Sequence, residues 1–286
     1  MEFVTATWMV GLDGSDGSLS ALRWAHALAA GRHERVTPVA AWHVPLPLWL
    51  MSGRRVVDVD RAGVRAEVAV HAAAAIDRLD DESVLDEPLV LEGHPAQVLL
   101  DAAGEDVTLV VGRRGIGELK HRLLGSVSQY VATHSSGPVV VVPNDWESAP
   151  IRRIVVGFDG SEHAAAALRW ALSIAPQGAE VEVVVALDVI PWMNPDMLAD
   201  RHPDTVEDAR RRISAAADEV DPAGRATRHF VVQGPRHALS DALDSADLVV
   251  VGPRGIGGLA RTVIGSVTTW LLHEASCPVA VVPTGH

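Results

Sequence analysis

The feature that most constrains the fold of this chain is a glycine pattern that occurs twice. Residues 110–128 read VVGRRGIGELKHRLLGSVS, and residues 250–268 read VVGPRGIGGLARTVIGSVT. Both copies have the spacing G-x2-G-x9-G followed by serine, and both begin with an apolar run. Identical spacing in two separate places indicates an internal duplication rather than two unrelated turns.

Further matches extend the repeat along the chain. MVGLDGS at residues 9–15 corresponds to VVGFDGS at residues 155–161, and the string ALRWA occurs once in each half. A polar, proline-bounded stretch at residues 143–150 separates the halves, as expected for a linker. The length of 286 residues suits two domains of ordinary size. We therefore predict one domain at 1–146 and a second at 147–286.

Composition is typical of a globular protein that does not bind nucleic acid. Hydrophobic residues make up 48% of the sequence and charged residues 21%, which supplies enough apolar surface for a packed core. The formal net charge of −13 repels the phosphate backbone of DNA and RNA. Any anion site must therefore work through local backbone amides and a few arginines.

Sequence features also predict a cytoplasmic location. Cys277 is the single cysteine, so the chain can form no internal disulfide and no cysteine-based zinc site. We see no signal peptide at the start, and the apolar runs are far shorter than the roughly 20 residues that cross a bilayer. No membrane association is expected.

Short β-branched runs alternate with longer alanine-rich stretches in each half. This alternation predicts an α/β fold of two Rossmann-like, doubly wound domains, each a five-stranded parallel sheet flanked by helices. The predicted strands lie near Thr7–Leu12, Thr37–Val44, Val84–Leu91, Val107–Gly112, Val139–Val142, Arg153–Phe158, Glu180–Val189, Arg225–Val232, Leu248–Gly252 and Val279–Val282. The predicted helices of the first half lie near Ser18–Gly31, Asp58–Asp80, Ala96–Ala103 and Ser126–Ser135. Ligands of such sheets bind beyond the carboxyl ends of the strands, where the strand order reverses.

The repeated glycine pattern predicts a phosphate-binding loop in each half. Glycine at 112 and 115 permits positive φ and close backbone approach to an anion. Gly125 and Ser126 stand where a helix begins, so that free amides and the helix dipole favour phosphate, and the Ser126 side chain would cap the helix. The counterparts in the second half are Gly252, Gly255, Gly265 and Ser266. Ordinary turn glycines would explain one copy as well, but two copies favour phosphate binding.

An acidic turn follows the first strand of each half. Asp13 and Asp159 each stand in a G-hydrophobic-D-G-S string. A carboxylate at a strand end can accept hydrogen bonds from a ribose hydroxyl or a base amine. The alternative is an Asx turn or a helix cap. Beside the glycine loop, we favour the ligand-binding interpretation.

Together these motifs resemble those of the universal stress protein family, over nearly the whole chain and as two tandem domains. ATP-binding members carry G-x2-G-x9-G-[ST] with an aspartate after the first strand, and both halves match this pattern. The resemblance implies that each domain binds ATP, with Asp13 and Asp159 near adenine or ribose and with any Mg²⁺ held by the phosphates. It also implies a residue beside the base at the end of the second strand, which alignment places at Val44 and Val189.

The resemblance further assigns residues that line the phosphates. In the first half they are Gly112, Gly115, Gly125, Ser126, Val127 and Ser128, and in the second half Gly252, Gly255, Gly265, Ser266, Val267 and Thr268. Arg114 and Arg254 are expected to supply positive charge near the ligand, and solvated arginines are the alternative. Arg113 corresponds to Pro253, so the two sites are expected to differ in affinity.

We expect a nucleotide-dependent regulator of the stress response that hydrolyses ATP slowly or not at all. No Walker lysine, HExxH pair or GxSxG elbow is present, and the histidines lack metal-ligand spacing, so we predict no catalytic residue and no metal site. The alternatives are a nucleotide-processing enzyme, either a slow ATPase or an adenylate-forming one, and a scaffold without ligand. We also expect the two halves to pair through their last strands, whole chains to form homodimers, and an unknown protein partner to bind.

Overall fold

The computed structural model describes residues 8–43, 60–79, 81–115, 124–147, 149–187, 203–256 and 264–284. The first half contains β1 (Trp8–Leu12), α1 (Asp16–Ala30), β2 (Val36–Trp42), α2 (Arg61–Ile76), β3 (Leu89–Glu92), α3 (Pro95–Ala103), β4 (Thr108–Gly112), α4 (Ser126–His134) and β5 (Val139–Val142). The second half contains β6 (Arg153–Gly157), α5 (Glu162–Ile174), β7 (Glu180–Ala186), α6 (Pro203–Val220), β8 (Ala226–Val231), α7 (Pro235–Leu243), β9 (Leu248–Val251), α8 (Ser266–Glu274) and β10 (Val279–Val281). The two halves therefore repeat the same order of strands and helices.

All of these strands belong to one ten-stranded sheet. Its order is β3-β2-β1-β4-β5-β10-β9-β6-β7-β8. Pairing is parallel within each half, as predicted, and antiparallel where β5 meets β10. The strand order reverses between β1 and β4 and again between β6 and β9. Because the direction changes at β5–β10, the carboxyl ends of the strands in the two halves lie on opposite edges of the sheet.

The burial of the strands follows their place in the sheet. The inner strands β5 and β9 read VVVV and LVVV, and every residue in them is buried. Helices cover both faces of a parallel sheet, so such strands need no alternation of polar residues. The outermost strands β3 and β8 contain exposed positions.

Two hydrophobic cores lie on the two faces of the sheet and run through both halves. One core lies under α1, α2, α5 and α6, and the other under α3, α4, α7 and α8. Helix pairs of equivalent sequence position therefore cover the same face in each half. Within the described residues, no helix is both long and apolar enough to span a bilayer.

A cluster of three tryptophans joins the halves on one face. The Trp8 ring meets the ring of Trp24 at a centroid distance of 5.7 Å and the ring of Trp170 at 6.5 Å, both edge-to-face. Trp170 belongs to the second half, and its indole nitrogen donates to the Thr108 hydroxyl at 3.4 Å. Such aromatic pairs add about 0.5–1.5 kcal/mol each beyond the area they bury. The pairing of β5 with β10 is therefore supported by side-chain packing.

One strand begins later than the sequence predicts. The pattern favoured a strand from Val84, whereas β3 begins at Leu89 and only Leu85 forms an isolated bridge to β2. The Asp86 carboxylate accepts hydrogen bonds from Arg35 (2.9 Å) and Thr37 (2.8 Å). Pro88 follows, and it has no amide to donate to a neighbouring strand. Two backbone bonds, from the Val36 amide to the Val84 carbonyl and from the Asp86 amide to the Val36 carbonyl, form the bridge, and the side-chain bonds of Asp86 supplement them.

A charge introduced into the seam strand should destabilise the whole chain. Val140 of β5 is fully buried opposite Ala280 of β10. We expect Val140→Asp to lower the free energy of unfolding by at least about 3–5 kcal/mol, because it buries an uncompensated carboxylate. Val70→Asp makes the same chemical change on an exposed face of α2 and should stay within about 0.5 kcal/mol. Urea unfolding followed by circular dichroism measures both, and equal effects would contradict the seam.

The single cysteine should be unreactive while the fold is intact. Cys277 is buried before β10, and burial raises the pKa of its thiol to about 11. The thiolate is the reactive form, so at pH 8 we expect modification by a disulfide reagent at least about 100-fold slower than in an unfolded chain, where the pKa is near 8.5. Absorbance of the released thiol in buffer and in urea gives the two rates. Similar rates would show that Cys277 is accessible.

Candidate functional site

The carboxyl ends of β1 and β4 lie side by side, as do those of β6 and β9. Met9 pairs with Leu109 and Val10 with Val110, so Asp13 and Gly112 emerge at the same edge of the sheet. This is the point at which the strand order reverses, where doubly wound sheets bind their ligands. We call residues 112–115 with 125–128 the first cradle. Residues 252–255 with 265–268 are the second cradle.

Close backbone contact explains the first glycine of each cradle. A Cβ at Gly112 would lie 2.4 Å from the carbonyl carbon of Gly17, in the first turn of α1. A Cβ at Gly252 would lie 2.6 Å from the Cβ of His163, which begins α5 in the same way. These glycines do not have positive φ, so that part of the sequence prediction is wrong. The nearest group is a helix of the same chain, and the close approach to an anion stays a prediction.

The second glycine of each cradle lies against the acidic turn. A Cβ at Gly115 would lie 2.2 Å from Asp13 Oδ2, and a Cβ at Gly255 would lie 2.3 Å from Asp159 Oδ2. Asp159 Oδ2 also accepts a hydrogen bond from the Ile256 amide at 2.7 Å. Each aspartate therefore sets the distance between the glycine loop and the end of the first strand.

Both aspartates also form the Asx turn that was the alternative interpretation. Asp13 Oδ1 accepts from the Ser15 amide at 3.0 Å, and Asp159 Oδ1 accepts from the Ser161 amide at 3.0 Å. Ser15 and Ser161 in turn cap α1 and α5. An ionised carboxylate has about four lone-pair sites, so an Asx turn leaves capacity for a ligand hydroxyl. The two interpretations are compatible.

The helices α4 and α8 begin without a side-chain cap. Their N-cap residues are Gly125 and Gly265, and the described residues provide no side-chain cap for either helix. Ser126 and Ser266 are the first helical residues, so the prediction that they act as caps is wrong. The amides of a helix's first turn need an acceptor, and the dipole there favours an anion. Both cradles thus present amides that a phosphate could satisfy.

The hydroxyls at the third helical position hold the loop. Ser128 Oγ donates to the Gly112 carbonyl at 2.7 Å, and Thr268 Oγ1 donates to the Gly252 carbonyl at 2.8 Å. Both side chains are only 3% exposed. These hydroxyls are therefore already hydrogen-bonded to carbonyls of the glycine loops. A ligand in the cradle would meet the backbone of these residues rather than their hydroxyls.

A cavity lies over each cradle. The first cavity has a volume of about 200 Å³ and the second about 870 Å³. The predicted residues around the first cavity are Asp13, Gly112, Arg114, Gly115, Gly125, Ser126, Val127 and Ser128. Those around the second cavity are Asp159, Gly252, Arg254, Gly255, Gly265, Ser266, Val267 and Thr268. Val44 and Val189 lie outside the described residues.

Sequence reasoning missed a second helix N-terminus at each cavity. Pro95 of α3 lines the first cavity, and Pro235 with Arg236 and His237 of α7 lines the second. Arg236 donates to the Ser266 carbonyl at 3.1 Å, which brings a cation beside the second cradle. Proline at the first helical position is a recognised start signal and could have located these helices. It could not have shown that they turn toward the cavity.

Arg113 leaves the first cavity and crosses to the second half. Its guanidinium donates to the Ala275 carbonyl at the end of α8, and burial lowers the pKa of this group. Arg114 stays at the first cavity, with its amide bonded to Asn144 Oδ1 at 3.1 Å. The loss of Arg113 at Pro253 therefore removes a contact between the halves rather than a cation of the site.

The fold and the cradles define a Rossmann-like α/β protein with two sites, one at each strand-order reversal. The sequence model of the universal stress protein family matches residues 7–143 and 150–283. A universal stress protein of Mycolicibacterium smegmatis is 31% identical, with 96% of each chain covered. Universal stress protein Rv2623 of Mycobacterium tuberculosis is 30% identical, covering 96% of this chain and 95% of its own. The chain belongs to the universal stress protein family.

A solved structure shows the same fold over the full length. The crystal structure of a universal stress protein from Archaeoglobus fulgidus superposes with a TM-score of 0.63 at 21% identity. The match covers 98% of this chain and all of that one. The arrangement of two domains in one chain is therefore shared with that relative.

Removing the Thr268 hydroxyl should loosen the second cradle. Thr268→Val leaves the Gly252 carbonyl without its buried donor, and we expect the free energy of unfolding to fall by about 1–2 kcal/mol. Thr269→Val at the neighbouring, partly exposed position is the matched control and should change it by less than about 0.5 kcal/mol. Chemical denaturation of both variants tests this. Equal stability of the two would mean that the bond contributes nothing.

Proposed function

We propose that each half binds one ATP and that the chain is a nucleotide-dependent regulator of the stress response with little or no ATP hydrolysis. The observation that carries the proposal is the pair of uncapped helix N-termini, each beside a glycine loop and a cavity. Family membership adds support, because the motifs that resemble those of ATP-binding members are the ones that form the cradles.

The phosphates would lie on the cradles. Backbone amides of the first turn of α4 or α8 would donate to phosphate oxygens, with Arg114 or Arg254 supplying positive charge. Neutralisation by local dipoles matters here because the chain as a whole is acidic. Any Mg²⁺ would be held by the phosphates themselves.

The nucleoside would lie between the acidic turn and the apolar wall of each cavity. Asp13 or Asp159 would accept a hydrogen bond from a ribose hydroxyl or base amine. Apolar side chains on the inner walls offer a surface for the base. They are Val39, Ala41 and Leu99 in the first cavity and Val184, Ala186 and Leu239 in the second.

The lining residues support ATP hydrolysis that is slow or absent rather than hydrolysis at ordinary enzyme rates. Asp13 and Asp159 are the only carboxylates among the described residues that line the two cavities, and both accept backbone amides in their turns. A general base must be free to take a proton from the attacking water. Occupied turn carboxylates are poorly suited to that task. Binding that orders a loop is the better use of such a site.

The second cavity supports one alternative, a slow ATPase or an adenylate-forming enzyme. Its volume is about 870 Å³, and Arg236 and the exposed His237 line it together. That leaves room for a second substrate beside the nucleotide, with an imidazole as the acid or base. The first cavity, of about 200 Å³, offers neither feature.

Homodimers of whole chains, a protein partner and a cytoplasmic location stay predictions. The edges of β5 and β10 pair with each other inside one chain. A dimer of whole chains would therefore need another surface than these two strand edges. The outermost strands β3 and β8 are two such edges.

Selective removal of one aspartate should remove one ATP. We expect the purified chain to bind two ATP molecules per chain in equilibrium dialysis, and Asp13→Ala or Asp159→Ala to bind one. Asp106→Ala removes the same charge at an exposed position and should still bind two. Gly115→Val is a second first-site variant, because its side chain would occupy the space of Asp13 Oδ2 while leaving the Asx turn residues in place.

Turnover separates the two proposed functions. Phosphate release under multiple-turnover conditions should stay far below ordinary enzyme rates of about 1–1,000 per second. Release at such rates, lost in His237→Ala, would favour the enzyme. An unchanged ATP content in both Asp13→Ala and Gly115→Val would show that the first site is assigned wrongly.

A further inference from the structure

A third cavity lies at the seam between the two halves. It has a volume of about 300 Å³, and the end of α4 with the following loop forms its wall on the first half. The second half contributes His163, Pro253, Arg254 and Thr284. We call this space the seam cavity. It has no part in the nucleotide sites beyond Arg254 and Ile264, which line both it and the second cavity.

The equivalent position on the other side of the seam is occupied by an arginine. The duplication makes Arg113 the counterpart of Pro253, and the Arg113 guanidinium extends to the carbonyl at the end of α8. Glu274 and Asp145 are near enough to favour its charge. A cation with acidic neighbours therefore fills the seam beside the first cradle.

The ionisable side chains differ at the seam cavity. Pro253 is the counterpart of Arg113, His134 is the counterpart of Glu274, and His163 is the counterpart of Gly17. No aspartate or glutamate is among the described residues that line this cavity. The substitutions remove a cation and a carboxylate and add two imidazoles beside Arg254. A guanidinium or ammonium ligand would lack an acidic partner here, whereas an anion would have three basic ones.

In both imidazoles Nδ1 is hydrogen-bonded within the protein, which leaves Nε2 for a ligand. His163 Nδ1 accepts from the Thr284 amide at 3.2 Å, so the neutral ring carries its proton on Nε2. His134 Nδ1 is 2.9 Å from the Tyr130 carbonyl, so it donates there, and Nε2 can donate only when the ring is protonated. Stacking on the Tyr130 ring at 4.1 Å fixes the plane of the His134 ring.

The electrostatic environment of His163 favours a bound anion. Burial lowers the pKa of His163, and the positive charge of Arg254 lowers it further, against the opposing carboxylates Glu162 and Asp159. Arg254 and His163 thus repel one another when the ring is protonated. A bound anion would relieve that repulsion and draw a proton onto the ring.

We infer that the seam cavity binds a small oxyanion of the phosphate class, coordinated by His134, His163 and Arg254 with hydroxyls from Ser135 and Ser136. A volume of about 300 Å³ is at the small end of ligand pockets and suits inorganic phosphate or a compact phosphate monoester. This site lies outside the two cradles, and Arg254 is the charged residue that it shares with the second of them. Its occupant would bind both halves at once and so stabilise the seam.

Titration with inorganic phosphate at constant ionic strength tests the site. Calorimetry should show that phosphate binds to the wild-type chain. In His134→Glu, which introduces the residue found at position 274, the affinity for phosphate should fall at least about tenfold. His71→Glu carries the same change at an exposed position on α2 and should bind like the wild type. His163→Asn, which keeps an acceptor for the Thr284 amide, should also weaken binding.

Phosphate on the cradles must be distinguished from phosphate at the seam. The double variant Gly115→Val, Gly255→Val obstructs both cradles and should keep the phosphate that His134→Glu removes. If phosphate binds equally to the wild type, His134→Glu and His71→Glu, or disappears with the cradle variant, the inference is wrong. If no phosphate binds to any of them, it is wrong as well.

A pH series with sulfate gives a second readout, because sulfate keeps its charge between pH 6 and pH 8. Binding favours the protonated ring of His163, whose pKa is lowered by burial and by Arg254, so affinity should rise as the pH falls. The charged groups that act on His163 are Arg254, Glu162 and Asp159. The pH dependence should be lost when both histidines are replaced by asparagine. A flat profile in the wild type would contradict the coordination.

Discussion

The antiparallel pairing of β5 with β10 is the interaction on which the rest of this structure depends. It joins two five-stranded parallel sheets into one and places their carboxyl ends on opposite edges. Each cradle helix therefore begins at its own cavity and ends beside the glycine loop of the other half. Arg113 meets the end of α8 in this way, and the end of α4 lines the seam cavity with Pro253. The two candidate nucleotide sites are thus connected by short helices rather than by a shared wall.

Much of the fold could be predicted because the signals are local. Apolar runs such as Val139–Val142 and the repeated blocks give the strands, their parallel class and the two-domain organisation. The start of β3 could not be predicted, since Asp86 bonds to Arg35 and Thr37 through side chains that no local pattern reveals. That β5 lies antiparallel to β10 also depends on contacts between distant segments, such as those of Trp8 with Trp170.

For the site, the sequence predicted which residues lie together but not the contacts that each of them makes. Glycine spacing predicted which residues surround each cavity, because glycine is required wherever Gly112 meets α1 or Gly115 meets Asp13. The same spacing said nothing of what each group does. Ser126 stands inside the helix instead of capping it, and the Ser128 hydroxyl serves the Gly112 carbonyl. Arg236 was missed because a single arginine after a proline has no distinguishing pattern.

Duplication within one chain has a consequence for how such a protein can evolve. In a symmetric dimer of identical subunits, every substitution occurs in both subunits. A residue on the two-fold axis contacts its own copy, so its side chain must be compatible with itself. Here the two surfaces are encoded separately, so one half can have Arg113 where the other has Pro253, and Glu274 where the other has His134. One half is thereby free to keep an old task while the other acquires a new one.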